Sequence, residues 1–317
     1  MGMKNALLLG ICALLLVISS GCVLPFPTGN TNAGKGLIIT DWKSQFPEIY
    51  AGEYTVFQAK VKNTGSFEAT NIHFQFTGLD EWEYNKITVS GWEEPKAVQK
   101  LCQYGEEGLK LSPPSEEFGT EGEEIFCTWD AKPPKMRESL MMTYTPDLTV
   151  YYDYMARSVL SATVLSRMEL KRLQETGGEF PFENKISGDS PVLIDASVES
   201  PIIVTEAGKV TFPIRITVRN AGGGLICYRM KGKAGGCGDS ANLNKVSLEI
   251  TSGSAKLTGD CTNPIELSLW KGSEGSVTCR MQADAPEYAL KQIMIDVTAY
   301  YRYYTDAETP VKVSARP

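Results

Sequence analysis

The chain has 317 residues, 42% hydrophobic and 22% charged, with a net charge of −7. That acidity excludes a broad electrostatic attraction to nucleic acid or anionic lipid, while the length suits two domains of ordinary size. Pro, Gly, Tyr, Thr and Val are frequent and no long segment carries a clean 3.6-residue apolar period, so the expected class is all-β.

The chain opens Met1-Gly-Met-Lys4, runs almost wholly apolar from Ala6 to Ile18, and continues Ser19-Ser20-Gly21-Cys22. A charged start, a short apolar core and small residues before a cysteine form a secretory signal of the lipoprotein kind. Residues 1–21 are then the signal peptide and Cys22 the lipidation site. Ser19 stands where the usual lipobox carries Leu, Val or Ile, so two other readings stay open. Ser19 and Gly21 suit ordinary signal-peptidase cleavage, and Ala6 to Phe26 reaches the length of an uncleaved anchor. Each reading puts the rest of the chain outside the cytoplasm. Residues 22–35, rich in Pro, Gly, Asn and Thr, read as a flexible stalk.

Residues 36–166 form the first of two copies. Its clearest strand runs from Ala51 through Val61 to the turn Asn63-Thr-Gly65, with one apolar and one polar face. Asn and Gly suit the turn because both tolerate positive φ. The segment Val61-Lys-Asn-Thr-Gly-Ser-Phe-Glu-Ala-Thr-Asn-Ile72 resembles the V-x-N-x-G…A-x-N-I/V segment of CARDB-type domains, immunoglobulin-like modules of prokaryotic, often archaeal, cell-surface proteins. The resemblance covers one strand–turn–strand unit and implies adhesion, display or spacing rather than catalysis.

His73, the only histidine, follows in Asn71-Ile-His-Phe-Gln-Phe-Thr77. Ile72, Phe74 and Phe76 take the buried face, so His73 is expected on the wet face as a surface residue. Trp82, Tyr84 and Trp92 cluster just beyond, and are the candidate partner-binding residues as a sugar-stacking platform or protein hot spot. The competing expectation is that they fill the core. Residues 93–124 carry the pairs Glu93-Glu94, Glu106-Glu107, Glu116-Glu117 and Glu123-Glu124, which read as a solvated surface, with a partner or weak Ca²⁺ surface as the alternative, rather than fixed catalytic carboxylates. Trp129, two residues after Cys127, is expected in the core. Thr149-Val-Tyr-Tyr-Asp-Tyr154 then gives a strand whose tyrosines alternate between core and surface.

Residues 167–190, with Gly177-Gly178, Pro181 and Gly188, read as a linker in which Met168–Glu175 is long enough for two helical turns. Residues 191–317 repeat the first copy. Val210, Phe212, Ile214, Ile216 and Val218 face one way before the turn Asn220-Ala-Gly222, and Thr298-Ala-Tyr-Tyr-Arg-Tyr303 parallels Thr149–Tyr154. Pro213 must turn its nitrogen to an edge or bulge. The expected architecture is two tandem immunoglobulin-like Greek-key sandwiches, each with its own core.

Cys12 leaves with the signal. Six mature cysteines besides Cys22 suggest three disulfides in an oxidising compartment. Cys102 and Cys127 hold positions that correspond to Cys261 and Cys279, which gives the same bridge twice. Cys227 and Cys237 then pair across a Gly-rich loop found only in the second copy.

No catalytic, cofactor-binding or metal-ligating residue is identified. The expected role is a membrane-tethered extracytoplasmic protein for binding, adhesion or envelope structure, whose partner is another envelope protein or a glycan. The alternatives are a carbohydrate-binding surface protein using Trp82, Tyr84 and Trp92, and a glycosidase-type enzyme using the Glu-rich stretch.

Overall fold

The computed structural model describes residues 35–316 apart from 91–108, 180–183, 200, 205–207, 234, 235 and 260. The first copy holds β1 (Leu37–Ser44), β2 (Glu48–Tyr50), β3 (Thr55–Asn63), β4 (Ala69–Thr77), β5 (Glu83–Ser90), β6 (Leu109–Leu111), β7 (Glu124–Lys132), β8 (Met141–Tyr144) and β9 (Asp147–Leu165). Between the copies lie helix α1 (Arg167–Thr176) and β10 (Asn184–Ser187). The second copy holds β11 (Val192–Val198), β12 (Ile202–Ile203), β13 (Lys209–Asn220), β14 (Leu225–Tyr228), β15 (Lys245–Thr251), β16 (Ala255–Thr258), β17 (Ile265–Ser268), β18 (Glu274–Asp284), β19 (Leu290–Glu308) and β20 (Val311–Ser314). The chain is therefore all-β, as its composition and alternation imply.

The duplication is visible in the sheets. β1-β3-β7-β5 and β11-β13-β18-β16 are matching four-stranded antiparallel sheets. Their strands alternate as expected: Phe57, Ala59 and Val61 on β3, and Val210, Phe212, Ile214, Ile216 and Val218 on β13, are all buried. Pro213 sits one residue past the point where pairing with β11 stops at Val198 opposite Ile214, so its nitrogen costs no ladder bond on that side.

The second layer differs from the expectation of two separately closed sandwiches. A single nine-stranded sheet runs β17-β15-β19-β9-β4-β6 through both copies, with β10, β12 and β14 attached beside β9 and β19. Its centre is the antiparallel pair of β9 and β19, in register from Asp147 opposite Glu308 to Leu165 opposite Leu290. One apolar cluster extends from Leu37 to Val313. Residues 167–190 are more than a linker. Ser166 caps α1 by accepting from the Glu169 amide at 3.2 Å, Gly177 ends it at φ 65°, and β10 pairs with β9.

The exchange is reciprocal. The end of β9 pairs in parallel with β12 of the second copy, Val164 opposite Ile202. In the other direction β20 pairs in parallel with β2 of the first copy, Val313 opposite Ile49, and antiparallel with β8. Each copy thus lends strand to the other.

Candidate functional site

The matched motifs fix where the copies join. Tyr151-Tyr-Asp-Tyr154 aligns with Tyr300-Tyr-Arg-Tyr303, so Asp153 and Arg302 are equivalent positions. They are also direct partners across the β9–β19 ladder. A residue that faces its own equivalent marks a pseudo-two-fold axis, and here that axis passes between a carboxylate and a guanidinium.

On the core side of the axis, Tyr152, Tyr154, Tyr301 and Tyr303 are all buried. Their rings contact one another at 5.6 to 6.4 Å between centroids. Tyr154 donates to Asn63 Oδ1 at 3.3 Å and accepts from the Phe67 amide at 3.2 Å. Tyr303 repeats this with Asn220 Oδ1 at 2.9 Å and the Gly224 amide at 2.7 Å. The Asn-x-Gly motif is therefore a socket for a tyrosine. Gly65 and Gly222 are not in the positive-φ region, contrary to the sequence expectation. A Cβ on Gly65 would stand 2.2 Å from the Tyr154 hydroxyl, and one on Gly222 2.6 Å from that of Tyr303.

The opposite face of the shared sheet carries the chemistry. Asp153 is fully buried. Its carboxylate meets Arg302 Nη1 at 3.2 Å, Arg229 Nε at 3.1 Å and Asn71 Nδ2 at 2.6 Å. Arg302 Nη2 also contacts His73 Nε2, and its guanidinium lies 6.0 Å from the Tyr151 ring centroid. Burial lowers the Arg302 pKa, and the Asp153 charge opposes that shift. Around this centre Tyr151 packs on Tyr304 at 5.2 Å and donates to Gln75 at 3.0 Å. Lys231 pairs with Glu249 at 2.9 Å, which raises the lysine pKa chiefly through that hydrogen bond.

Both copies build this site, each through an irregularity at the same place. In copy one, β4 bulges between Thr70, opposite Asp153, and His73, opposite Tyr151. Asn71 sits in the bulge at φ 50°, which aims its amide at Asp153. In copy two, Tyr228 opposes Tyr301 and Ser247 opposes Tyr300, so the chain leaves the β19 ladder in a loop after Tyr228 and returns to it at Ser247, between neighbouring positions. The disulfide Cys227–Cys237 closes the base of that loop, with Cα atoms 5.2 Å apart. Arg229 is the first residue out of the strand.

The residues singled out from sequence divide into three groups. Cys227–Cys237 and Cys261–Cys279 are paired as expected. Cys127 is disulfide-bonded, while its expected partner Cys102 lies outside the described residues, as do Cys22, Trp92 and the pairs Glu93-Glu94 and Glu106-Glu107. Trp82 is corrected from the candidate platform: it is 5% exposed, with its ring 5.8 Å from Phe57 and 5.3 Å from Tyr144. It fills copy one's core with Trp42 and Trp129, so it presents no surface to a partner. Tyr84 lies on β5 opposite Ala131. His73 does point away from the core, but it is half-buried against Arg302 rather than a bare surface residue. Glu116, Glu117, Glu123 and Glu124 are exposed, and Glu124 pairs with Lys60 at 2.9 Å.

Asp153, Arg229 and Arg302 were not singled out by the sequence reading. The available signal was the one charged mismatch, Asp against Arg, inside otherwise matching tyrosine motifs. Among the described residues no group of His, Cys, Asp and Glu could hold a metal ion, and no helix is long and apolar enough to cross a membrane. Neither a protein-family model nor a curated protein matches the sequence, so the CARDB resemblance rests on the residues quoted for it.

Proposed function

We propose that the chain is a membrane-tethered extracytoplasmic protein with a binding or envelope-structural role and no catalytic activity. The observation that carries this reading is the pair of disulfides, Cys227–Cys237 and Cys261–Cys279. Such bonds persist in oxidising compartments, and they stand behind an N-terminal segment that reads as a lipoprotein signal. The immunoglobulin-like character implied by the CARDB resemblance agrees with a display or adhesion module, although fold alone names no function. The polar face around Asp153 is the surface on which a partner, a glycan or another envelope protein, would dock.

Intact mass of protein extracted from native membranes tests this. The expected result is loss of residues 1–21, added acyl or ether-lipid mass on Cys22, and cysteines closed in disulfides. A full-length, unmodified chain in the soluble cytosolic fraction with free thiols would contradict it. Membrane-bound protein that keeps Met1 would replace the lipid with an uncleaved anchor.

A further inference from the structure

We infer that the terminal guanidinium nitrogens of Arg229 form an oxyanion-binding site, for a carboxylate or a phosphate, at the junction of the two copies. The Arg229 side chain is only 15% exposed; its Nε donates to the Lys233 carbonyl and lies against Asp153 Oδ2, both at 3.1 Å. Nη1 and Nη2 have no hydrogen-bond partner among the described residues. Neither nitrogen is buried without a partner, so this edge of the guanidinium meets solvent. A planar fork whose stem and Nε are held fixed has lost little freedom still to be lost on binding, and two parallel N–H donors match a carboxylate or phosphate bidentately.

The surroundings favour an anion. Arg229 and Arg302 bring two cations to the single carboxylate of Asp153, so the innermost cluster carries a local excess of positive charge. The chain as a whole is acidic, so this local excess is opposite in sign to the molecule. Asp153, supplied by copy one, orients an arginine that stands on the disulfide-closed loop of copy two. Among the described residues copy one has no such loop, so the site occurs once there. The inference deepens the binding reading above without depending on the membrane tether. Ligand binding and cellular location are measured separately, so either can fail alone.

The test is calorimetric titration of the full chain in an uncharged detergent with glucuronate and with inorganic phosphate, using glucose as the neutral control. Saturable binding of at least one anion and none of glucose is expected. Arg229→Gln should weaken it by about tenfold or more, and Arg229→Lys, which keeps the charge but loses the fork, should also weaken it. Arg219→Gln, which removes an exposed pair with Glu274, should leave it unchanged. Preference for phosphate would point to a phosphorylated headgroup or polymer, and preference for glucuronate to a carboxylated saccharide; either supports the site. No saturable binding by the unmodified chain, or equal binding by Arg229→Gln, would overturn it. If Arg229→Gln does not fold, equal binding by Arg229→Lys would do the same.

Discussion

Trp82 shows how a single side chain changes meaning once its neighbours are known. Its ring lies among Phe57 and Tyr144, so Trp82→Ala should remove core contacts and cost about 3–5 kcal/mol. Thermal or urea unfolding checks this, and an unchanged transition would return the ring to the surface. The four seam tyrosines make a second residue-level case. Burial raises all four phenol pKa values, that of Tyr303 to about 12. The neutral phenol is the favoured form in the fold. Its contribution is therefore complete below the unfolded value of about 10 and is lost as pH rises through the folded value. Stability should fall from about pH 10 through about pH 12, with these phenols ionising only as the protein unfolds. Tyrosinate absorbance that reaches its full value near pH 10 in a still-folded protein would contradict the buried cluster.

Between strands, the Asp153–Arg302 pair has a role beyond its modest net energy. Buried ion pairs often contribute little stability, because desolvating two charges offsets their attraction. What this pair supplies is register and partner choice. A copy paired with a second version of itself would set Asp153 against Asp153, or Arg302 against Arg302, in a dry site. Only the mixed pairing is satisfied. Asp153→Ala should leave Arg302 and Arg229 without their carboxylate and cost about 3–5 kcal/mol. A loss below about 1 kcal/mol by urea unfolding would mean that the guanidiniums have water in reach.

At this scale the sequence was informative where the signal was periodic. The alternation of β13, the Asn-x-Gly turns and the short helix near Met168 were legible because each depends on neighbours in sequence, and the two disulfides because the duplication singles out their pairing. The wet face of β4 was legible too, which placed His73 outward. What His73 would meet there was not, since Arg302 lies 229 residues away. Likewise the turn glycines were legible as necessary, but their reason was a tyrosine hydroxyl from another strand, not the backbone angle. The Asp153 cluster depends on three chain segments brought together by ladder register, and no local pattern encodes that.

Over its described residues the molecule is arranged as a dimer fused into one chain. Two copies related by a pseudo-two-fold axis share an inner sheet, exchange strands through β12 and β20, and bury a common set of tyrosines. Such an arrangement places the divergent residues of the two copies at their junction. That is where the unpaired edge of Arg229 is found, so the fold and the proposed anion site depend on the same contact.

The most direct test of that shared sheet separates the copies. Fragments 36–166 and 190–317, each with its cysteines oxidised, are followed by near-ultraviolet circular dichroism and thermal unfolding, alone and mixed in equal amounts. Each fragment alone lacks the partner strand that completes its inner layer, so neither should show a cooperative transition. The mixture should form a one-to-one complex that melts cooperatively. Fragments that each melt cooperatively alone and do not associate would contradict the account.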